Sequence, residues 1–223
     1  MGIGKLLVLG ATSPTGQIIV KRALELGWKT TVYGRRTLPE HAENADIQTI
    51  EGPLDDEASL RTAIAAQDVI ISVFGPSNPR ASTDVFVPAY KLILKTMRSE
   101  GVKRIIALST YSVRDPKDKP NLLRWLLVTM LWALAHKMWK TIVDISVVFD
   151  EEGKDIDWTL FRVGFLADGP PMRVVDGYVG DGKVGMYLRR ADIAEWTLSQ
   201  AEKSPPEYVH EKPGISSVKV PRT

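Results

Sequence analysis

The chain has 223 residues, of which 44% are hydrophobic and 25% charged, and its formal net charge is +2. These values are typical of one domain with a full hydrophobic core, and the small net charge does not favour nucleic acid as a partner. The absence of cysteine excludes disulfides, thiol nucleophiles and iron–sulfur clusters, and the three histidines lack the spacing of a metal site. The first strand begins near the N-terminus with no targeting segment before it, so we expect a cytoplasmic location.

Apolar and amphipathic segments alternate along the chain. The predicted strands are residues 5–9, 30–33, 46–51, 68–74, 104–108 and 158–163. Strands that alternate with helices predict an α/β fold, a doubly wound parallel sheet of the Rossmann type whose ligands bind at the carboxyl ends of the strands. We expect one domain, with residues 112–155 and 164–186 in a small lobe on the ligand side and a hairpin at 169–182.

The first predicted strand ends in a glycine-bounded turn that leads into a helix. Gly10 and Gly16 occupy the first and last positions of a G-x-x-G-x-x-G spacing, and Ser13 stands at the middle position. Such a turn directs backbone N–H groups and the positive end of the helix outward, and glycine allows a phosphate to approach the backbone. The turn therefore predicts a site for a dinucleotide pyrophosphate.

The second predicted strand ends in Gly34, Arg35 and Arg36, about twenty residues after the turn. In a dinucleotide-binding fold this strand end meets the adenosine ribose. An acidic residue there selects a free 2′-hydroxyl, whereas arginine accommodates a 2′-phosphate. With two arginines and no acidic residue, the sequence favours NADP(H) over NAD(H).

The segment 121–149 departs from the alternation. Residues 125–135 carry no charge, and Trp125, Trp132 and Trp139 recur every seven residues, which places them on one stripe of a helix. The segment is shorter than the roughly 20 apolar residues that cross a bilayer. Three interpretations remain open: packing on the core or on a second subunit, which would make a homodimer; an apolar wall or lid over an aromatic substrate; and attachment to a membrane surface.

Six segments carry a resemblance to a known family. They are residues 10–16, 32–36, 52–56, 68–72, 102–110 and 157–162. On these residues the chain resembles the atypical short-chain dehydrogenase/reductase superfamily. It is most similar to the small NAD(P)H-binding, NmrA-like members that include biliverdin-IXβ (flavin) reductase. The resemblance covers nearly the whole chain and implies a single NAD(P)-binding Rossmann domain, residues 1–223.

The resemblance also implies where the parts of NADP(H) would lie. The implied contacts are Gly10, Thr12, Ser13, Pro14, Thr15 and Gly16 with the pyrophosphate; Arg35 and Arg36 with the 2′-phosphate; Leu54 with the adenine; Phe74 and Gly75 with the ribose chain; Ser109 and Thr110 beneath the nicotinamide; and Val163 and Phe165 on the far side. Pro53 stands where the family usually places an aspartate near the adenine. Asp55 is the residue that could replace that contact.

The proton donor for carbonyl reduction is less defined by the sequence. The superfamily's usual Tyr-x-x-x-Lys pair is absent after the fifth strand, and His136 and Lys140 lie one helical turn apart in that region. Imidazole titrates near neutral pH, so His136 could donate the proton with Lys140 beside the ribose. Tyr111, directly after Thr110, is a competing donor, and solvent is a third.

The resemblance implies an NADPH-dependent oxidoreductase of the short-chain dehydrogenase/reductase type. Its substrate would be a small aromatic or polycyclic carbonyl or quinone-like compound, in keeping with the tryptophan stripe. Two alternatives stay open: an NADP(H)-binding sensor without turnover, and a redox-neutral isomerase or cyclase on the same fold.

Overall fold

The computed structural model describes residues 3–36, 44–76, 78 and 82–218. The strands are Lys5–Leu9 (β1), Lys29–Gly34 (β2), Ile47–Glu51 (β3), Val69–Ser72 (β4), Arg104–Thr110 (β5), Asp157–Val163 (β6), Phe165–Ala167 (β7), Arg173–Gly177 (β8), Tyr187–Arg189 (β9) and Gly214–Val218 (β10). The helices are Pro14–Glu25 (α1), Glu57–Ile64 (α2), Phe86–Glu100 (α3), Leu122–Leu134 (α4), His136–Glu152 (α5) and Arg190–Glu202 (α6).

The main sheet has the strand order β3-β2-β1-β4-β5-β6-β10-β8. Every pairing from β3 to β10 is parallel, and β8 joins β10 antiparallel at the edge. β1 lies between β2 and β4, so the chain reverses its direction of winding there, and ligands of such sheets bind at the carboxyl ends of these strands. The predicted doubly wound parallel sheet is confirmed.

Helices cover both faces of the sheet, which explains why its central strands are apolar on both sides. Along β1, Leu6 and Val8 pack into one core with α1 and α6, whereas Leu7 and Leu9 pack into the other core with α2, α3 and α5. Alternate residues thus serve opposite cores.

The predicted hairpin at 169–182 is wrong. Strand β8 does not fold back on a neighbouring segment but pairs antiparallel with β10, from Gly177 opposite Gly214 to Arg173 opposite Val218. Strand β7 pairs instead with β9, in a separate two-stranded parallel sheet. The turn residues mark real reversals of the chain, but the partner strand is distant in sequence.

The tryptophan-rich segment is two helices rather than one. Ala135, with φ −140° and ψ 50°, lies outside the helical region and separates α4 from α5. None of the residues of α4 is buried, and Leu122, Trp125 and Leu134 are more than half exposed. Within the described ranges, no helix has the length and apolarity needed to cross a bilayer.

Candidate functional site

A cavity of about 1030 Å³ opens at the carboxyl ends of β1, β2 and β4, where the winding of the chain reverses. We call it the switch-point cavity. The predicted cofactor residues among those that line it are Gly10, Thr12, Ser13, Arg35, Arg36, Leu54, Asp55, Phe74 and Gly75. Residues from the turn after each of these strands therefore meet in one space, as the predicted topology requires.

Two glycines are required in the turn between β1 and α1. Gly10 has φ +85°, and a β-carbon there would lie 2.8 Å from the backbone nitrogen of Phe74. A β-carbon on Gly16 would lie 2.2 Å from the carbonyl oxygen of Gly10. Both distances are shorter than van der Waals contact, so the turn can adopt this conformation only with glycine at both positions.

Ser13 caps α1 from the middle position of the turn. Its hydroxyl donates to the carbonyl oxygen of Gly10 at 2.8 Å and accepts from the N–H of Gly16 at 3.0 Å. The hydroxyl is therefore directed into the turn rather than into the cavity. Pro14 begins the helix and is exposed, whereas Thr15 and Gly16 are buried in its first turn. None of these three predicted residues is among the described residues that line the cavity.

Arg35 and Arg36 follow the end of β2 on the rim of the switch-point cavity. Both side chains are exposed. Among the residues that the structure describes, neither arginine has a salt-bridge partner. Two guanidinium groups that no carboxylate of the described ranges neutralises favour an anionic ligand at this rim.

The loop after β3 forms the wall next to these arginines. Leu54 is half-buried and Asp55 is exposed, and both line the cavity beside Pro53. The Tyr33 hydroxyl donates to the carbonyl oxygen of Pro53 at 2.6 Å, which fixes the loop against β2. Burial, with a smaller effect of the charges of Asp56 and Asp55, raises the pKa of Tyr33 to about 12, so the hydroxyl keeps its proton at neutral pH.

The opposite wall is an aromatic stack that begins at Phe74. Its ring lies 4.6 Å from that of Tyr90, centroid to centroid and nearly parallel, and 5.9 Å from that of Phe86. The Tyr90 hydroxyl donates to the carbonyl oxygen of Phe74 at 3.1 Å and shares a hydrogen bond with the Ser72 hydroxyl. This buried tyrosine fixes the turn after β4.

The start of α3 adds lining residues that the sequence analysis missed. They are Val85, Phe86, Pro88, Ala89 and Leu92. The signal was available, because in a parallel sheet the helix after each strand begins at the same edge where that strand ends.

Four predicted residues lie on strands farther along the same edge and do not line the switch-point cavity. Thr110 ends β5 and is in register with Val163 at the end of β6, and Ser109 is in register with Arg162. Ser109 and Val163 are buried, while Phe165, the first residue of β7, is 57% exposed. The structure therefore places Thr110 beside Val163, whereas Phe165 belongs to the separate β7–β9 sheet and is largely exposed.

Tyr111, His136 and Lys140 were predicted to donate the proton or to bind the ribose, but the structure does not bring their side chains together at the end of β5. The buried Tyr111 hydroxyl lies within hydrogen-bond distance of the carbonyl oxygens of Gly185, at 2.9 Å, and Ile215, and burial raises its pKa. His136 is exposed at the start of α5, and its ring lies against those of Trp132 and Trp139. Lys140 is exposed and forms a salt bridge with Asp144 at 2.6 Å.

A second cavity, of about 540 Å³, lies between α4, α5 and the loop after β5. We call it the α4–α5 cleft. Trp125, Trp132 and Trp139 all line it, so the three tryptophans share one surface although they belong to two helices. Ser112 and Val113 also line it, directly after the end of β5.

A buried ion pair fixes the loop that borders this cleft. Both Arg162 terminal nitrogens donate to Asp118, at 2.6 and 2.7 Å, and one of them also donates to the carbonyl oxygen of Val113. Asp118 further accepts from the N–H groups of Asp115 and Val179. Burial alone would raise the pKa of Asp118, but these bonds outweigh it and keep the pKa below its ordinary value. Because Arg162 is fully buried, the loop is anchored to β6.

Comparisons with known proteins identify the family of the chain. A model of the NAD(P)H-binding family matches residues 10–204. A protein of Arabidopsis thaliana named "Probable pinoresinol-lariciresinol reductase 3" is 24% identical over 212 residues, which cover 87% of this chain and 62% of that protein. A phenylcoumaran benzylic ether reductase of Ginkgo biloba is 34% identical over 84 residues, 34% of this chain and 28% of that protein. The chain thus spans less than two thirds of the length of either plant protein.

Solved structures show the same fold. A short-chain dehydrogenase/reductase from Veillonella parvula in complex with NADP has a TM-score of 0.75 at 15% identity, with 96% of this chain and 94% of that chain covered. An anaerobillin reductase from Escherichia coli O157:H7 has a TM-score of 0.72 at 16% identity, with 98% and 100% covered. The family model spans most of the residues. The chain therefore belongs to the NAD(P)H-binding family, as its resemblance to the atypical short-chain dehydrogenases/reductases predicted.

Proposed function

We propose that the protein is an NADPH-dependent reductase of the short-chain dehydrogenase/reductase type, which transfers hydride to a small aromatic or polycyclic carbonyl or quinone-like compound. The observation that carries the cofactor choice is the pair Arg35 and Arg36, exposed on the rim of the switch-point cavity at the end of β2. A 2′-phosphate at this strand end would meet two guanidinium groups. The neighbouring structure in complex with NADP supports the same choice.

The residues of the cavity fit an extended dinucleotide. Gly10 lines the cavity, and glycine puts no side chain between its backbone and a pyrophosphate. Leu54 offers an apolar edge to the adenine, with Asp55 beside it in place of the missing aspartate at Pro53. NADPH, when bound, supplies the hydride, and the chain positions it and excludes water.

Thr110 is the side chain that we place beside the reacting carbonyl. It ends β5 next to Val163, farther along the edge from Gly75. Its hydroxyl oxygen accepts from the N–H of Ser112 at 3.2 Å, which leaves the hydroxyl proton for a substrate oxygen. Since Tyr111, His136 and Lys140 are directed elsewhere, we infer that the proton consumed in the reaction comes from water.

The cofactor preference is tested with variants of the two arginines. In Arg35→Ala/Arg36→Ala, NADPH affinity should fall roughly tenfold to a hundredfold, the range for losing exposed charge-assisted hydrogen bonds, while NADH affinity changes less than about twofold. Nicotinamide fluorescence measures both. Lys21→Ala, which removes an exposed cation from α1 outside the cavity, is the matched control. An equal loss for both cofactors would contradict the assignment of the 2′-phosphate site.

Turnover is tested by following NADPH absorbance with a panel of quinones, flavins and aromatic ketones. We expect the protein to oxidise NADPH with at least one member of the panel. Thr110→Val should reduce the rate by roughly tenfold or more, whereas His136→Ala should leave it unchanged. Tight NADPH binding without oxidation of any member would favour a sensor without turnover. No NADPH binding at all would favour a redox-neutral enzyme.

We also propose that the protein forms a homodimer through α4. Five apolar side chains of this helix lie outside the α4–α5 cleft and are at least half exposed: Leu122, Leu123, Leu126, Met130 and Leu134. A contiguous apolar surface of this kind is typical of a protein interface. Sedimentation equilibrium should show a dimer that Leu126→Glu converts to monomer. A monomeric parent protein would contradict this proposal.

A further inference from the structure

The α4–α5 cleft has the size and chemistry of a second ligand site. Its volume of about 540 Å³ lies within the range typical of small-molecule sites, roughly 300–1000 Å³. The described residues that line it differ from those that line the switch-point cavity. Trp125 and Trp132 line it with 57% and 50% of their surface exposed, and Trp139 closes the α5 side. A planar apolar ligand would cover indole surface that water now contacts.

The described side chains that line the cleft carry an excess of positive charge. Among the described residues, four charged side chains line it: Arg114, Arg124, Lys212 and Asp150. Lys212 and Asp150 form a salt bridge at 2.6 Å and neutralise each other. Two positive charges remain, because neither Arg114 nor Arg124 forms a salt bridge with a residue in the described ranges.

The surroundings of Arg124 explain why no carboxylate among the described residues neutralises it. Its Nε donates to the carbonyl oxygen of Tyr111 at 2.8 Å, and one terminal nitrogen donates to that of Val113 at 3.2 Å. Those partners are uncharged, and the nearby Asp118 already forms a two-bond pair with Arg162. Burial, together with the charges of Arg114 and Arg162, lowers the pKa of Arg124 against the opposing effect of Asp118. An anion in the cleft would relieve this repulsion.

We propose that the α4–α5 cleft binds an organic anion with a planar aromatic body, its carboxylate, sulfonate or phosphate group held by Arg114 and Arg124 and its rings packed on Trp125 and Trp132. Guanidinium groups pair with such acids through two parallel hydrogen bonds, and indole rings pack against planar rings. The positive charge and the aromatic surface are adjacent in sequence, since Arg124 and Trp125 both lie in the first turn of α4. The proposal goes beyond the reductase function and does not depend on it.

The test compares naphthoate with uncharged naphthamide on the full chain, by tryptophan fluorescence and calorimetry, with and without NADPH. Naphthoate should bind at least about tenfold more tightly than naphthamide. Added salt should weaken the binding of naphthoate but not that of naphthamide. Arg114→Gln should abolish that advantage. Arg114 is exposed, so this variant should fold, and its circular dichroism and melting temperature verify that.

Two further variants separate the charge from the rings. Trp132→Ala should weaken naphthoate and naphthamide alike, whereas Lys137→Gln, an exposed cation of α5 outside the cleft, should weaken neither. Equal affinity for the two probes, or an unchanged affinity in Arg114→Gln, would overturn the proposal. Binding to vesicles of anionic phospholipid without binding of naphthoate would also overturn it, because the occupant would then be a lipid surface. Naphthoate binding that persists in Arg35→Ala/Arg36→Ala shows that the cleft acts apart from the cofactor cavity.

Discussion

Replacing Ser13 tests whether its hydroxyl only caps α1 or also contacts the pyrophosphate of the cofactor. In the structure the hydroxyl bridges the Gly10 carbonyl and the Gly16 N–H, at 2.8 and 3.0 Å. Ser13→Ala removes both bonds, and the loss of such a helix cap costs about 1 kcal/mol. For a chain of this size that cost lowers the melting temperature by about 2–4 °C. Ser13→Gly should cost only a few tenths of a kcal/mol, since glycine is a good N-cap residue.

The cofactor affinity of the same variants tests whether the hydroxyl also contacts the pyrophosphate. Because it is directed into the turn, NADPH affinity in Ser13→Ala should stay within about twofold of the parent protein, less than the loss of one hydrogen bond. Urea denaturation measures the stability and nicotinamide fluorescence the affinity. Ser99→Ala, a serine of α3 far from the cavity, is the control. A loss of affinity of tenfold or more in Ser13→Ala, with unchanged stability, would refute the reasoning.

Three further predictions follow from individual contacts. Gly16→Ala, whose new β-carbon would lie 2.2 Å from the Gly10 carbonyl, should lower the free energy of unfolding by about 3 kcal/mol or more and abolish NADPH binding; urea denaturation and fluorescence test this. Asp118→Asn should destabilise by about 3 kcal/mol at neutral pH, because Arg162 stays buried with a weaker partner. Because the pKa of Asp118 is lowered in the folded state, its charge stabilises the fold above roughly pH 4, and this stabilisation is lost as the pH falls through the folded-state pKa. Below pH 4 the free energy of unfolding should therefore depend less on pH in Asp118→Asn than in the parent protein. Tyr111→Phe should cost about 1 kcal/mol and leave turnover unchanged; a turnover loss of tenfold or more would make Tyr111 the proton donor.

The features that the sequence predicted well are local or follow from topology. In the turn at 10–16, Gly10 is favoured by its positive φ and Gly16 by the backbone of the turn itself, both of which are local. The alternation of strands and helices determines which segments meet at the switch point. For these reasons Arg35, Leu54 and Phe74 could be assigned to one cavity from strands well separated in sequence. Their contacts with a cofactor remain predictions.

The features that it did not predict depend on tertiary contacts. The direction of the Tyr111 hydroxyl is determined by carbonyl groups of Gly185 and Ile215, far along the chain, and no local pattern reports them. The interruption at Ala135 lies in a segment of strong helix formers, so helical periodicity continues through it. Arg162 lies in an apolar strand, and its partner Asp118 lies in a loop more than forty residues earlier.

The exposure of α4 has a consequence for how this protein can change. In the separate protomer, α4 buries none of its residues and loses few contacts when it opens. Its amide hydrogens should then exchange with solvent by local opening, while those of β1 exchange only on global unfolding. Substitutions in α4 then change the wall of the cleft at little cost to the nucleotide-binding scaffold. Such an arrangement lets ligand choice diverge during evolution while the sheet, its glycine turn and its switch-point cavity are retained.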